Sequence, residues 1–451
     1  FITFCALSEA KGMNIIMNKN MQNIIIIGFA LFASFFGAGN LIFPPSIGII
    51  AGNQWLIALA AFVLSGIILP LCSFLAVSKA DGTEESIAKE LGPIFSKVFV
   101  GIIMLCGSIL IVIPRTAATT YEIGITPFLP NIPQFIVSLI YFAIVVFFSI
   151  NQSSAIDKIG KYLTPVLIVM MAIIVIKGII TPIGTPADLG ATNVFKNSFI
   201  AGYQTLDAIG ALAFSGAIIS AIVGKGYKEV EEQRRVAFLC AMIAGVLLLF
   251  IYGGLLYIGA TGTDIFPQDI EKTALLIGLV NKLLGSAGSI ILRLGVIFAC
   301  LTTAIGAMAG AAGFFERVTN HRISYKKIVI ISSILGVIIS TLKVEQIVNL
   351  AGPILAIIYP VLIVLIIFGI FNKFLPKHKK GIYVGAVYTT LVISILETLP
   401  AFGIEIEVIV NLISELPLAS MGFSWIIPAV IGGLVGWFSY KNKAAEVIDS
   451  K

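Results

Sequence analysis

Long apolar runs recur along almost the whole chain and set the strongest limit on its fold. A membrane-spanning helix needs ~20 mostly apolar residues, and twelve runs reach that length. Because an open strand would leave backbone N–H and C=O groups without partners in lipid, each run predicts a helix. These helices are predicted to begin near Asn23, Gln54, Phe95, Gln134, Lys161, Phe199, Arg235, Ser289, Lys327, Ile347, Gly381 and Ser424. The sequence therefore predicts an all-α integral membrane protein with twelve transmembrane helices and the lipid bilayer as its surroundings.

The placement of the basic residues predicts the orientation in the membrane. Charged residues make up only 12% of the chain, whereas ~25% is typical of soluble domains. Lysines and arginines concentrate in alternate short loops and in the tail 441–451, and such loops stay on the cytoplasmic side. Both termini are therefore predicted to be cytoplasmic, including the segment 1–20, which we leave out of the fold. Basic residues spread over short loops also argue against a nucleic-acid partner.

The stretch FFGAGNLIFPP, residues 35–45, lies at the middle of the first apolar run. Each of its two glycines weakens a helix by ~1 kcal/mol. Pro44 and Pro45 remove two backbone donors and are expected to force Phe43 out of the α conformation. Unwound backbone is stable at this depth only where protein buries it or where it lines a wet cavity. The break therefore predicts a binding site.

The sixth run contains a second interruption, within YQTLDAIGALAFSGA at residues 203–217. Gly210, Ser215 and Gly216 are expected to break this helix near its middle. Asp207 lies in the same stretch, and an acid at such depth usually faces a pathway or a partner. The second interruption therefore predicts the other wall of the same site.

The two interrupted helices each begin a set of five. An odd number of helices inverts the second set in the membrane, and this inverted repeat is typical of secondary transporters. The predicted units are residues 21–181 and 182–374, followed by two peripheral helices in 375–440. In such transporters the substrate site lies at mid-membrane, where the two discontinuous helices meet.

Three longer motifs resemble one family of bacterial transporters. GFALFASFFGAGNLIFPP begins at Gly28, IPRTAATTYEIG at Ile113 and GYQTLDAIGALAFSG at Gly202. In this order they resemble the branched-chain amino acid:cation symporter family, and the resemblance runs from Met21 to about Tyr440. It implies the leucine-transporter-type fold, in which a 5+5 inverted repeat with discontinuous helices 1 and 6 precedes two peripheral helices.

The same resemblance implies a secondary active symporter that imports leucine, isoleucine and valine across the bacterial plasma membrane. A sodium or proton gradient would drive import by alternating access, with Na⁺ or H⁺ as the coupling ion and no other cofactor. The alternative is a proton-coupled transporter or exchanger of another small neutral amino acid with the same fold. The oligomeric state stays open.

An amino acid substrate needs a site for each of its charges and one for its side chain. Free N–H groups at the start of the half-helix after the first break favour the carboxylate. Carbonyls freed by the breaks, or the Asp207 carboxylate, would accept from the ammonium, and Phe214 is the expected apolar wall. The substrate-binding residues are predicted to be Phe35, Phe36, Gly37, Ala38, Gly39, Asn40, Ser108, Asp207, Ala211, Phe214 and Ser215.

Asp207 has three interpretations. It ties the two broken helices together by accepting backbone N–H bonds, it contacts the substrate ammonium, or it carries a proton during coupling. A carboxylate that is buried without a full partner favours the proton role. We rank the structural tie first.

The segment ACLTTAIGAMAG, starting at Ala299, lies in the eighth run. Sodium is a hard cation that takes several oxygen ligands, and hydroxyls and bare carbonyls can supply them. The resemblance implies a sodium site made of the Thr302 and Thr303 hydroxyls and the carbonyls of Ala299, Ala33 and Phe36. The alternative is that each hydroxyl bonds back to a carbonyl one turn earlier in its own helix.

Arg115 and Glu122 lie in the second motif, IPRTAATTYEIG, toward the predicted outer end of the third helix. A guanidinium and a carboxylate at this level suggest a thin outer gate. The alternative is an arginine that extends its charged end to the membrane interface.

Other classes of membrane protein lack support in the sequence. The two histidines, His321 and His378, fall in predicted cytoplasmic loops, and no HExxH, GxSxG or P-loop motif occurs. A channel would more naturally show a repeated filter or rings of charge. The sequence therefore predicts a transporter and not an enzyme.

Overall fold

The computed structural model describes residues 20–80, 82–150, 164–376 and 379–449, with side chains to residue 439. His378, nearly all of the predicted N-terminal segment 1–20, and the side chains of the tail 441–451 lie outside the described residues. Within the described ranges every regular element is helical.

The helices follow one another in a simple order along the chain. They are α1 Asn20–Phe35, α2 Ala38–Ala51, α3 Trp55–Val63, α4 Leu69–Lys79, α5 Pro93–Ile102, α6 Ile113–Thr119, α7 Gln134–Ser149, α8 Thr164–Ile180, α9 Val194–Gln204, α10 Asp207–Gly224, α11 Val230–Ala260, α12 Lys272–Val318, α13 Tyr325–Ile339, α14 Val344–Ile370, α15 Lys380–Thr398, α16 Glu407–Ser414 and α17 Ile426–Asp449. A helix lies at the position of each of the twelve predicted spans.

Seven continuous helical stretches among the described residues are long and apolar enough to cross a membrane. Four shorter apolar helices, among them α1 and α7, accompany them. Large apolar side chains point outward on many helices, as they do at Ile94, Phe147, Ile180, Val246 and Ile338. An apolar outer surface of this extent marks the part of a protein that contacts lipid. The chain is thus built as a multi-pass membrane protein.

The prolines of the first motif do not break the helix. Pro44 and Pro45 lie inside α2, so the expectation that they force Phe43 out of the α conformation is wrong. The unwound residues are Phe36 and Gly37, before α2 begins. Inside a membrane protein, proline is tolerated within a helix where neighbouring groups and local adjustments of the backbone satisfy the carbonyls that it leaves free.

Helix α2 packs closely against α11 at and just after its two prolines. A Cβ at Gly48 would collide with the Leu256 carbonyl oxygen, and one at Gly259 would collide with that of Pro45. The two helices therefore approach with their backbones nearly in contact, as small residues permit in membranes.

The second interruption lies upstream of the predicted position. The chain leaves the helix at Thr205 and Leu206, and α10 then runs without a break through Gly210, Ser215 and Gly216. The prediction of a break at those three residues is wrong because the glycines serve packing. A Cβ at Gly210 would meet the Phe214 ring at 3.0 Å, and one at Gly216 would meet a carboxylate oxygen at 3.1 Å.

A further helix precedes the eighth predicted span. The stretch α12 runs from Lys272 to Val318, but its backbone is non-helical at Gly285, where φ is +59°, so its second part begins close to the predicted start near Ser289. Glycine adopts this left-handed conformation without steric cost. The first part of α12 is anchored by the buried side chains of Leu275, Leu276 and Leu279, so a stretch predicted as a connection is a packed helix.

Helix α6 is flanked by two segments of π-helical backbone. The segment Ile103–Val112 joins α5 to α6, and Thr120–Ile125 follows α6. π-Helical turns are rare and are often found at functional sites. The first of these segments carries Ser108 to the level of both interruptions.

Candidate functional site

The two interruptions face each other at the centre of the molecule. At the first, Gly37 precedes α2, and its N–H donates to Asn40 Oδ1 over 3.2 Å. At the second, Leu206 precedes α10 with φ of +71°. The start of each half-helix therefore lies beside unwound backbone, where its first N–H groups have no partners within the helix.

A buried hydrogen-bonded cluster joins the two interruptions. Asn40 Nδ2 donates to Asp207 Oδ2 over 2.5 Å, and the Tyr252 hydroxyl donates to the same oxygen over 3.2 Å. Asn40 Nδ2 also contacts the Tyr252 hydroxyl. All three side chains are buried. Asp207 thus ties the broken helices together through the Asn40 amide, rather than through backbone N–H groups as expected.

Sequence reasoning missed Tyr252 entirely. It lies on α11 in the middle of a long apolar run. A tyrosine at such depth could have indicated the polar centre, because a buried hydroxyl needs a hydrogen-bond partner.

A small cavity of about 20 Å³ lies between the interruptions. Its walls include seven of the predicted substrate-binding residues, namely Phe35, Gly37, Ala38, Asn40, Ser108, Asp207 and Phe214. This volume holds roughly one water molecule, so helices α1, α2 and α10 close tightly around the polar centre. The remaining walls include Ser34, Val112, Thr116, Thr205 and Ala307, none of which was predicted.

Four predicted substrate-binding residues lie outside the cavity wall. Ser215 Oγ donates to the Ala211 carbonyl, a bond within α10. Because the break lies upstream, the Ala211 carbonyl is not freed, and the prediction that it faces the substrate is wrong. The Phe36 ring stacks between Phe32 and Tyr252. Gly39 lies behind the cavity, against a guanidinium.

Phe214 occupies a slot between two glycines. A Cβ at either Gly210 or Gly306 would lie 3.0 Å from its ring. Because neither glycine has a Cβ, the ring fits between them and forms one wall of the cavity.

Five oxygens converge where the first break meets α12. Thr303 Oγ1 lies 3.3 Å from the Phe36 carbonyl oxygen and 3.5 Å from that of Ala33. Thr302 Oγ1 lies 3.5 Å from the Ala33 oxygen and 3.0 Å from that of Ala299, one turn earlier. The five groups predicted for a sodium site therefore lie together. The bond from Thr302 to Ala299 is also the local back-bond of the alternative interpretation.

Arg115 lies at the second interruption and is only 3% exposed. Its Nη1 donates to the Gln204 carbonyl over 2.5 Å and its Nη2 to that of Thr205 over 2.9 Å. In a continuous helix these carbonyls would accept from N–H groups four residues later. Arg115 thus replaces the hydrogen bonds that the break removes, and the expectation that it extends to the membrane interface is wrong.

Glu122 does not pair with Arg115. Its Oε1 accepts from the backbone N–H of Val344 over 2.9 Å, at the beginning of α14. The prediction of a gate made by these two side chains is therefore wrong, because each is held by backbone groups of a different helix.

Two further cavities lie on opposite sides of the centre. The larger, about 560 Å³, opens on the side of the predicted cytoplasmic loops and is lined by small residues of α10 and α12, such as Ala213 and Gly310. Glu84 and Arg317 form an ion pair in its wall. The smaller, about 120 Å³, lies between α2 and α9.

Discontinuous helices that meet at a buried polar site are typical of secondary transporters. Solved structures share the fold. The fold is similar to that of MHP1, a nucleobase-cation-symport-1 family transporter, at 13% identity over 93% of each chain with a TM-score of 0.56. It is also similar to MhsT in complex with L-phenylalanine, at 15% identity over 92% of this chain and 98% of that one, again with a TM-score of 0.56.

The family follows from sequence comparisons. The family model described as branched-chain amino acid transport protein matches residues 20–443. The branched-chain amino acid permeases BraB and BrnQ of Bacillus subtilis (strain 168) are 35% and 36% identical over 92% of this chain, and the matches cover 95% and 96% of those proteins. The chain belongs to this family of transport proteins and is a transporter, not an enzyme.

Proposed function

We propose that the protein is a symporter that imports leucine, isoleucine and valine across a bacterial plasma membrane, driven by a sodium gradient. The names of the two Bacillus subtilis relatives support the substrate class. We also propose the full predicted topology: twelve spans, inverted repeats in 21–181 and 182–374, two peripheral helices and cytoplasmic termini. Helices at all twelve positions and breaks in the first and sixth spans support it.

The polar centre is suited to a zwitterion. The first N–H groups of α2 form an anion site, since they lack partners within the helix and lie at the positive end of its dipole. The Asp207 carboxylate lines the same cavity and suits an ammonium. Phe214 and Val112 supply the apolar walls that a branched aliphatic side chain needs. Because the cavity is small, substrate entry requires the surrounding helices to separate.

The convergence of five oxygens at the first break carries the proposal of sodium coupling. Oxygens that bind one hard cation at ~2.4 Å, with bonds at right angles, lie about 3.4 Å apart. The distances from Thr303 Oγ1 to the carbonyl oxygens of Phe36 and Ala33 are 3.3 and 3.5 Å. One of the oxygens belongs to Phe36 in the unwound region and another to Ala33 in the last turn of α1, so an ion held there would order the backbone beside the substrate site.

Proton coupling is the second candidate because Asp207 is a buried carboxylate. Ionisable groups within a membrane are expensive and mark proton pathways as well as binding sites. The carboxylate lies beside the substrate cavity and 4% of the residue is exposed. A proton carried by this carboxylate would couple to the same site.

Transport follows from unequal affinities of the two open states. Substrate and ion would bind together from the outside, and the broken helices would then rock against the other helices. The cavity of about 560 Å³ on the side of the predicted cytoplasmic loops, lined by α10 and α12, is the candidate inner route.

Uptake into proteoliposomes separates the candidates. Purified protein is reconstituted, and uptake of labelled leucine, isoleucine and valine is driven by a sodium gradient or by a pH gradient alone. Saturable uptake under the sodium gradient alone is expected. Uptake under the pH gradient alone would favour proton coupling, and no uptake of any of the three under either gradient would reject the proposed function.

A further inference from the structure

Arg115 has donor capacity that the protein does not use. Its guanidinium carries five N–H bonds, and the bonds to the Gln204 and Thr205 carbonyls use two of them. The Nε–H is buried and has no acceptor. An unsatisfied buried donor is costly, so the arrangement points to an acceptor that comes from outside the chain.

The guanidinium faces the same space as the start of α2. Arg115 lines the central cavity together with Gly37, Ala38 and Asp207. A Cβ at Gly39 would lie 2.8 Å from its Nη2, which places the charge directly against the first turn of the half-helix. The positive end of the α2 dipole and the Arg115 guanidinium therefore lie beside the same cavity.

The charge of Arg115 makes no direct ion pair. Its two hydrogen-bond partners are neutral carbonyls, and the ion pairs found among the described residues do not include it. The Asp207 carboxylate interacts with the guanidinium electrostatically, but the hydrogen bonds that it accepts come from Asn40 and Tyr252. Direct hydrogen bonding of the guanidinium to an anion is therefore left to a ligand.

We propose that Arg115 binds the carboxylate of the amino acid substrate, together with the N–H groups that begin α2. The Nε–H and a remaining Nη hydrogen form the fork that suits a carboxylate, while Asp207 faces the ammonium. The inference rests on the proposed function, and it replaces the predicted gate role of this arginine. The side chain also fixes the second break, so substrate binding and the shape of the unwound backbone are linked through one residue.

The test compares two ligands that differ only in the carboxylate. Binding of leucine and of leucinamide, which keeps the ammonium and side chain, is measured by titration of purified protein in sodium. In the unaltered protein leucine binds more tightly. In Arg115→Gln, leucine affinity falls about tenfold or more, leucinamide affinity changes far less, and the ratio between them collapses. Arg115→Lys keeps the charge and retains part of the ratio.

Controls separate this role from a purely structural one. Arg293, which lies over the Phe128 ring and does not line the central cavity, supplies the matched variant Arg293→Gln, in which both affinities are unchanged. Equal losses for both ligands in Arg115→Gln would overturn the inference. If that variant does not fold, Gly39→Ala displaces the guanidinium instead, and there too an unchanged ratio would overturn it.

Failure of the proposed function gives a different result. If the unaltered protein binds neither ligand, the substrate class is wrong. If it binds leucine, and the ratio survives the loss of Arg115, only the carboxylate assignment is wrong.

Discussion

Asn40 and Asp207, 167 positions apart in the chain, are joined by a hydrogen bond of 2.5 Å from Nδ2 to Oδ2. Each residue lies in the first turn of a half-helix that follows a break. The bond therefore fixes the two half-helices relative to each other, and the Tyr252 hydroxyl supports it from α11.

Loss of the Asn40 amide is expected to destabilise the protein. Asn40→Ala leaves the buried Asp207 carboxylate without its shortest hydrogen bond, at a cost of about 1–3 kcal/mol. Thermal unfolding of purified protein measures this change. Tyr252→Phe is the matched variant, because it removes the longer bond and keeps the amide. A melting temperature lower in Tyr252→Phe than in Asn40→Ala would contradict the ranking.

Gly306→Ala is expected to change substrate preference. The new methyl group lies 3.0 Å from the Phe214 ring, so the ring must shift. We expect it to move into the cavity that it lines and to leave less room for a side chain. Uptake of valine should fall less than that of leucine, which is one methylene larger. Gly101→Ala is the control, because its methyl group would meet Phe314 at an ordinary 3.8 Å. Equal losses for valine and leucine would show that the Phe214 ring does not set the side-chain pocket.

Arg317→Gln is expected to lower stability more than Arg322→Gln. Arg317 pairs with Glu84, whose side chain is only 4% exposed, and Arg317 itself is 44% exposed. Removal of the guanidinium weakens the support of a buried carboxylate and costs roughly 1–3 kcal/mol, whereas Arg322 is exposed in the loop after α12. Thermal unfolding of both variants measures the difference, and identical melting temperatures would mean that the ion pair contributes nothing.

The first break was predictable because its cause is local. Two glycines at mid-membrane weaken the helix whatever surrounds them, and the backbone does unwind at Phe36 and Gly37. The prolines misled because their effect depends on neighbours. Pro45 lies where α11 packs against α2 with almost no space between the backbones.

The second break could not be placed from sequence because a distant residue stabilises it. Thr205 and Leu206 carry no helix-breaking signal, and leucine rarely adopts a positive φ. Arg115 accounts for the position, since it takes over the carbonyls of Gln204 and Thr205. A contact between residues 89 positions apart produces no local sequence pattern from which the break could be predicted.

Coupled transport requires a cation and an amino acid to be held side by side at the first break. Leucine affinity of the purified protein, measured over a series of sodium concentrations, tests this directly, because coupled sites must change each other's affinities by the same factor. We expect sodium to tighten leucine binding, Thr303→Ser to keep this effect and Thr303→Ala to abolish it. Leucine affinity that is independent of sodium in the unaltered protein, or a sodium effect that survives Thr303→Ala, would contradict the account.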